Sequence, residues 1–468
     1  MLQRQSLRAL FGATALALSL AAQPVLADSI FTPTSDVFQG RVSAAGAERG
    51  QPVYPGSGAV ISGEGLVPGQ QITLMRGTSV LNADGPLTVD DEGKISFELT
   101  VDDAASTGLQ PIVVIAENPA AATVVDLKVS PQIPVSNEDR FDIASEAVTA
   151  GLYQVALSTE SNALFVTAAV GRPPVRESAL IKIDPETLET IASTTPEAAP
   201  ARPDGSDGGV FAVYGVDVDD ANGNVWVTNT RQNTIAVYSQ EDLSLVKQFE
   251  PGDVNHARDV VVDETRGHAY ASATGSDVIE VFDTATLDKL EPITVPSQLR
   301  GEEFSVMSLA LDEEGGTLVT VSLSTPEAAI IDLDSGEARV IALTGAVSAS
   351  GASYDPQDGL IFVASQGTDN LLIVDAESGE VLHDVEVGAG ALNVTFDPVG
   401  RNAYVSNRGA GTLTVVSTEG EIVANLDNGS FPNQARATAD GTIYAVNKSM
   451  GENDPKGDRI WRIQPVAE

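Results

Sequence analysis

The chain reads as an all-β protein: a seven-bladed β-propeller preceded by a small β-sandwich. Three observations predict this. Short alternating runs of apolar and polar residues, bounded by Gly, Pro, Asn and Asp, recur along most of the 468 residues. One such sentence, "NVWVTNTRQNTIAVYS" from Asn224, returns about seven times. Its large apolar position falls at Phe165, Trp226, Tyr270, Val319, Phe362, Tyr404 and Tyr444, with spacings of 61, 44, 49, 43, 42 and 40 residues. All but the first spacing match the repeat of a four-stranded propeller blade, and the first is stretched by the loop "TTPEAAPARPDGSDGGVF".

The elements follow in chain order. Residues 1–27 carry Arg4 and Arg8, an apolar run from Leu10 to Ala22 and a Val25-Leu26-Ala27 end. This is the pattern of a secretory signal peptide, too short in its apolar run for a bilayer span. The expected product is an exported chain with no membrane span, periplasmic by expectation, with extracellular release as the alternative. Losing the two leader arginines takes the formal charge from −40 to −42. Residues 28–56 are rich in turn formers and are expected to be loosely ordered. Residues 57–134 tighten into strands such as "AVISGE", "QQITLMRG" and "KISFELTVDD", with "DDEGK" as a hairpin turn. A β-sandwich of this size follows. The phrase "GEGLVPGQQITL" resembles the opening of bacterial Ig-like modules, which implies an Ig-like sandwich without catalytic residues. Residues 135–140 read as the linker, and residues 141–468 as the propeller.

A single four-stranded unit cannot bury both of its faces, so the units are expected to close into a ring. The seventh ends after its third strand, "RIWRIQP", and "RFDIASEA" just before the first unit is the natural donor of the missing fourth. Such closure removes the last unpaired edges. The strand signatures "YVSN", "WVTN" and "FVTA" resemble the YVTN-type propeller repeat. The first unit, "GLYQVALSTESNALFVTAAVG" with "LIKIDPETLE", and the last, "FPNQARATADGTIYAVNKS", resemble the YncE-like propeller proteins over residues 141–468. That resemblance implies a seven-bladed, exported, non-enzymatic protein associated with single-stranded DNA binding. The negative charge opposes that last property, since it repels phosphate polymers at long range.

Composition narrows the chemistry. With no cysteine and three histidines, neither disulfides, thiolate nucleophiles, structural zinc nor iron–sulfur clusters are expected, and no cofactor or metal site is assigned. "DVDDANGN" lacks the ligand spacing and distal Glu of a calcium loop. Two tryptophans cannot repeat the docking motifs of quinoprotein propellers. No G-x-S-x-G or H-E-x-x-H occurs, and no catalytic residue is assigned. A propeller hydrolase such as a lactonase stays open as an alternative, with Asp217, His256, Asp259 and Arg436 as the groups that would have to converge. A structural or adhesive envelope protein is the third possibility.

Propeller topology sorts the loops. Tight turns such as "DDANGN", "DEEGG" and "DAESGE" fall on one rim, which is expected to be acidic. The opposite rim collects Arg172, Arg176, Asn229, Arg231, His256, Arg258, Asn407, Arg408, Asn433, Asn447 and Lys448, with Arg436 on an innermost strand. Arginine makes bidentate contacts to carboxylate and phosphate and stacks on planar groups. The expected partner of this monomeric protein is therefore an anionic small molecule, a peptide, a glycan or a single-stranded nucleic acid.

Overall fold

A computed structural model describes residues 37–48 and 50–466; the expected leader lies outside them. Among the described residues the chain is almost entirely β-strand, with two short 3₁₀ turns. No helix there is long and apolar enough to cross a membrane.

From residue 141 onward the strands form seven four-stranded antiparallel sheets. Their first strands are Leu152–Ser158, Val216–Asp219, Ala257–Asp263, Val306–Asp312, Ala349–Asp355, Ala391–Asp397 and Pro432–Ala437. Each touches the first strand of the next sheet, and the seventh touches the first, so the sheets stand in a closed ring around a channel. The seventh sheet takes its outer strand from Phe141–Ala147, which pairs with Arg459–Pro465 over seven register positions. Both ends of the ring are thus stitched by main-chain hydrogen bonds, as the missing strand required.

The repeated large position explains the ring. Phe165 packs among Val216, Val225 and Val227 of the second sheet; Trp226 among Val260, Ala269 and Phe282 of the third; Tyr270 against Leu309 and Leu318 of the fourth. Val319, Phe362 and Tyr404 repeat this onto the fifth, sixth and seventh sheets, and Tyr444 packs on Val155 and Leu164 of the first. Every one is buried, each contributing roughly 1.5–3 kcal/mol of apolar transfer. A sheet keeps one face wet unless its neighbour covers it.

The first strands of six of the seven sheets carry a register irregularity near their start, as between Leu152 and Val155 or Ala257 and Val260. Such a bulge re-aims the extra side chain. It is how Tyr153, Arg258 and Asn433 reach the same rim.

The tight-turn rim is acidic as expected, but it is not free of arginine. Arg401 reaches Asp355 (2.8 Å) and Asp358 (2.6 Å) of the neighbouring sheet. Arg266 holds Asp334 (2.9 Å) and Asp263 (3.3 Å). These pairs clamp adjacent turns, so the separation of cations to one rim and carboxylates to the other is incomplete.

Before the ring, a three-stranded sheet (Arg41–Gly46, Gly58–Glu64, Ile95–Thr100) and a five-stranded sheet built on Gln71–Arg76, Gly108–Glu117 and Ala121–Val129 share one core of Ile61, Ile72, Leu74, Ile112, Val114 and Leu127. Residues 41–46 lie in the stretch expected to be loosely ordered, yet they form an edge strand registered on residues 59–64. Val42 and Ala44 pack on the core, an alternation too weak in small residues to stand out by sequence. This module is pinned to the ring. Lys128 donates to the Gln366 carbonyl (2.8 Å) and Asp369 (2.7 Å), and Asn425 holds the Ile133 carbonyl (2.9 Å).

Candidate functional site

The rim opposite the tight turns brings cations and aromatic rings together at the mouth of the channel. Lys448 follows the strand Ile443–Asn447, and its backbone N–H donates to the Phe431 carbonyl (3.1 Å). Its ammonium stands over the Tyr153 ring, 2.8 Å from the centroid. Tyr153 meets Tyr214 edge-on at 4.3 Å. Arg231 donates from Nε to the Tyr214 hydroxyl (3.3 Å). Across the mouth the Arg408 guanidinium lies 4.9 Å above Phe431 and donates to Asn433 Oδ1 (2.8 Å), while Asn433 Nδ2 donates to the Tyr153 carbonyl (2.7 Å). Aromatic faces hold cations by their quadrupoles. Here they hold them without neutralising them.

Charge is concentrated where the rest of the protein is acidic. Among the described residues no carboxylate lies within ion-pair distance of Arg231, Arg258, Arg408 or Lys448. Burial, then the positive fields of Arg408, Arg258 and Arg231, push the Lys448 ammonium down to about 6 against a smaller opposing pull from Asp458. Burial, with Arg231 and Arg258, also lowers His256. Arg408 is lowered mainly by burial, with Arg258 adding to it. Asp458 is committed elsewhere, accepting the N–H groups of Gly151 (2.8 Å) and Ser449 (3.1 Å). A cavity of about 530 Å³ opens beside Lys448, walled by Gly151, Tyr153, Ala169 and Asp454.

Backbone strain marks the same place. The residue just before the first strand is left-handed in five sheets: Gly151 (φ 86°), His256 (46°), Ser348 (54°), Gly390 (73°) and Phe431 (45°). Glycine takes this conformation freely, whereas for a bulky side chain it is a true outlier. His256 and Phe431 hold it and set their rings beside the cations.

The residues singled out by sequence divide four ways. Arg231, His256, Arg258, Arg408, Asn433 and Lys448 come together at this mouth. Arg172 and Arg176 stay exposed on an outer loop, Arg176 bonded to Asp207. Asn229, Asn407 and Asn447 are fully buried. Asn407 bonds the Thr412 and Thr414 hydroxyls, and Asn447 bonds the Ser430 and Lys456 carbonyls; these amides hold loops and do not face solvent. Arg436 lines the channel nearer the other end. Tyr153 and Phe431 were not singled out. Aligning "SFPN" with the glycine-bearing starts of other sheets would have exposed Phe431.

With this geometry in view, likenesses to known proteins can be placed. No family model matches the chain. The chain is similar to the YncE proteins. It is 23% identical over 342 residues to the uncharacterized YncE of Salmonella typhimurium strain LT2, covering 69% of this chain and 90% of that one. The YncE of Escherichia coli K12 matches to the same extent. Among solved structures, hydrazine synthase of Kuenenia stuttgartiensis superposes with a TM-score of 0.51 at 17% identity, covering 64% of this chain and 93% of that one. The first likeness and the shared architecture support a YncE-like propeller; the second speaks to fold alone.

Proposed function

We propose that this is an exported cell-envelope binding protein, a seven-bladed propeller with an Ig-like module at residues 57–134, that recognises an anionic ligand at the channel mouth. The observation that carries the reading is the group of Arg231, Arg258, Arg408 and Lys448, three of them held on rings and none paired with a carboxylate among the described residues, in a protein of charge −40. Against that background, three uncompensated guanidinium groups raise one another's free energy and hold the Lys448 amine ready to take up a proton. An oxyanion arriving between them relieves the repulsion and forms charge-assisted hydrogen bonds. Arg258 lies in a strand, and Arg231, Arg408 and Lys448 stand within two residues of strand ends, so little ordering is needed on binding.

The pinned module bears on ligand size. Its Pro52 meets Gly409 and its Gly50 approaches Phe431, so it rises over the fifth and sixth sheets. An extended strand crossing the whole face would meet it, whereas a compact anion needs only the mouth between Arg231, Arg258, Arg408 and Lys448. Export to the periplasm is part of the proposal, resting on the leader-like residues 1–27.

Inorganic pyrophosphate is a suitable probe. It is expected to raise the thermal midpoint of the full chain in a concentration-dependent way, because a ligand of the native state must do so. Lys448→Met and Arg408→Met are expected to weaken it by about tenfold or more each. A midpoint indifferent to pyrophosphate, sulfate and citrate alike contradicts the reading.

A further inference from the structure

The channel itself holds a second set of groups, separate from the mouth. A cavity of about 330 Å³ lies between the later halves of the first strands, toward the tight turns. Its polar lining follows one rule: side-chain oxygens are used up holding the next sheet. Gln434 Oε1 accepts the Val155 N–H (3.0 Å), Ser353 Oγ the Phe396 N–H (3.0 Å), and Thr395 Oγ1 the Ala437 N–H (3.0 Å). Asn393 Oδ1 accepts the Val394 N–H (3.0 Å). What each group has left is a donor. The amide N–H₂ groups of Asn393 and Gln434, on side chains 6% and 5% exposed, donate to no atom of the described residues.

Arg436 is the centre of this donor wall. Among the described residues its guanidinium makes no hydrogen bond, and its Nε is buried without a partner. Its one ion pair, to Asp217 Oδ1, is long at 3.6 Å. Asp217 in turn accepts the Val262 N–H through Oδ2 (3.0 Å) and a further backbone N–H from Val218, with Arg436 the cation beside it. Asp259 is different: Gln154, Val260 and Leu309 satisfy it, and it is structural. The lumen is therefore polarised, with donors and one cation on the fifth to seventh sheets, Asp217 on the second facing Arg436, and Glu313 at the turn of the fourth, bonded to Thr265.

We infer that this cavity is a binding site for a small zwitterion of the α-amino acid class, its carboxylate on Arg436, Gln434 and Asn393 and its ammonium on Asp217. A plain anion would be opposed by Asp217, and a plain cation by Arg436. A molecule carrying both charges one carbon apart inserts into the loose ion pair and completes both ends. The volume is at the small end of ligand pockets, which excludes long side chains. Burial raises the Asp217 carboxyl, a cost that a bound ammonium offsets.

Calorimetric titration of the full chain with glycine and L-alanine, and with acetate and methylammonium as single-charge controls, tests the site. The two amino acids are expected to bind saturably and the controls at least tenfold more weakly. Arg436→Met is expected to remove binding. Gln434→Glu keeps the oxygen that holds Val155 and replaces the donor with a negative group, so it should remove binding without loosening the ring, as its circular-dichroism melt would report. Asp217→Asn should abolish the preference for glycine over acetate, while Lys448→Met, at the mouth, should change nothing. Failure of the folded wild-type chain to bind either amino acid overturns the site. So does wild-type affinity in both the Arg436 and Gln434 variants. Acetate binding as tightly as glycine overturns the zwitterion assignment.

Discussion

Lys448 concentrates the argument at the scale of one residue. Its ammonium is held over the Tyr153 ring and faced by Arg408, Arg258 and Arg231, with Asp458 the nearby carboxylate. Such a position is poor for stability and suited to capturing an anion. The sign follows from linkage. An unfolded lysine titrates at its ordinary value of 10.5 and the folded one at about 6, so between those values the unfolded chain holds the extra proton. The Lys448 contribution to stability is then complete above about 10.5 and is lost as pH falls toward 6. Lys448→Met is therefore expected to raise the thermal midpoint at pH 6–7, by roughly 1–3 °C, with the gain shrinking toward pH 10. Melting curves across that range check it; an equal midpoint at every pH would mean that folding does not lower the Lys448 ammonium. Phe431 makes the complementary case, since a left-handed Phe is kept where Gly151 and Gly390 occupy the matching places and costs of order 1–3 kcal/mol.

At the scale of the element, the second strand of each sheet is the unit of stability. Trp226 packs 6.0 Å from Phe249 and 6.1 Å from Phe282, centroid to centroid, while its indole N–H is buried without a partner. Trp226→Ala is expected to cost about 3–5 kcal/mol through the cavity it leaves. Trp226→Phe should cost less than half of that, because it keeps ring contacts and removes an unsatisfied donor. Denaturant unfolding measures both. This layer was the most legible in the sequence: burial against a neighbour recurs at a fixed spacing, so Phe165 through Tyr444 announce themselves, and the unfinished last unit points to its partner at Phe141–Ala147. The edge strand Arg41–Gly46 was illegible because Ser, Ala and Gly fill an alternation that only pairing reveals. The site was half legible. Arginines on loops could be sorted by topology, but whether an Asn faces solvent or ties a loop depends on one side-chain rotation. Asn433 and Asn447 differ in nothing that pattern can read.

Over the whole molecule, seven sheets and a docked module set the charges. The ring lets residues far apart in sequence, such as Arg231 and Lys448, share one mouth, and the bulges aim them. The Lys128–Asp369 pair, with Asp369 almost fully buried, fixes the module on the fifth and sixth sheets and narrows the open arc. The acidic remainder keeps polyanions at a distance, so the field that favours solubility also favours a compact ligand over a long one. The measurement that tests this most directly is calorimetry of pyrophosphate binding at pH 7.5 in two buffers of different ionisation enthalpy. The account predicts binding with uptake of about one proton per anion, lost in Lys448→Met. Binding without proton uptake, or equal binding by the Lys448→Met and Arg408→Met chains, would contradict it.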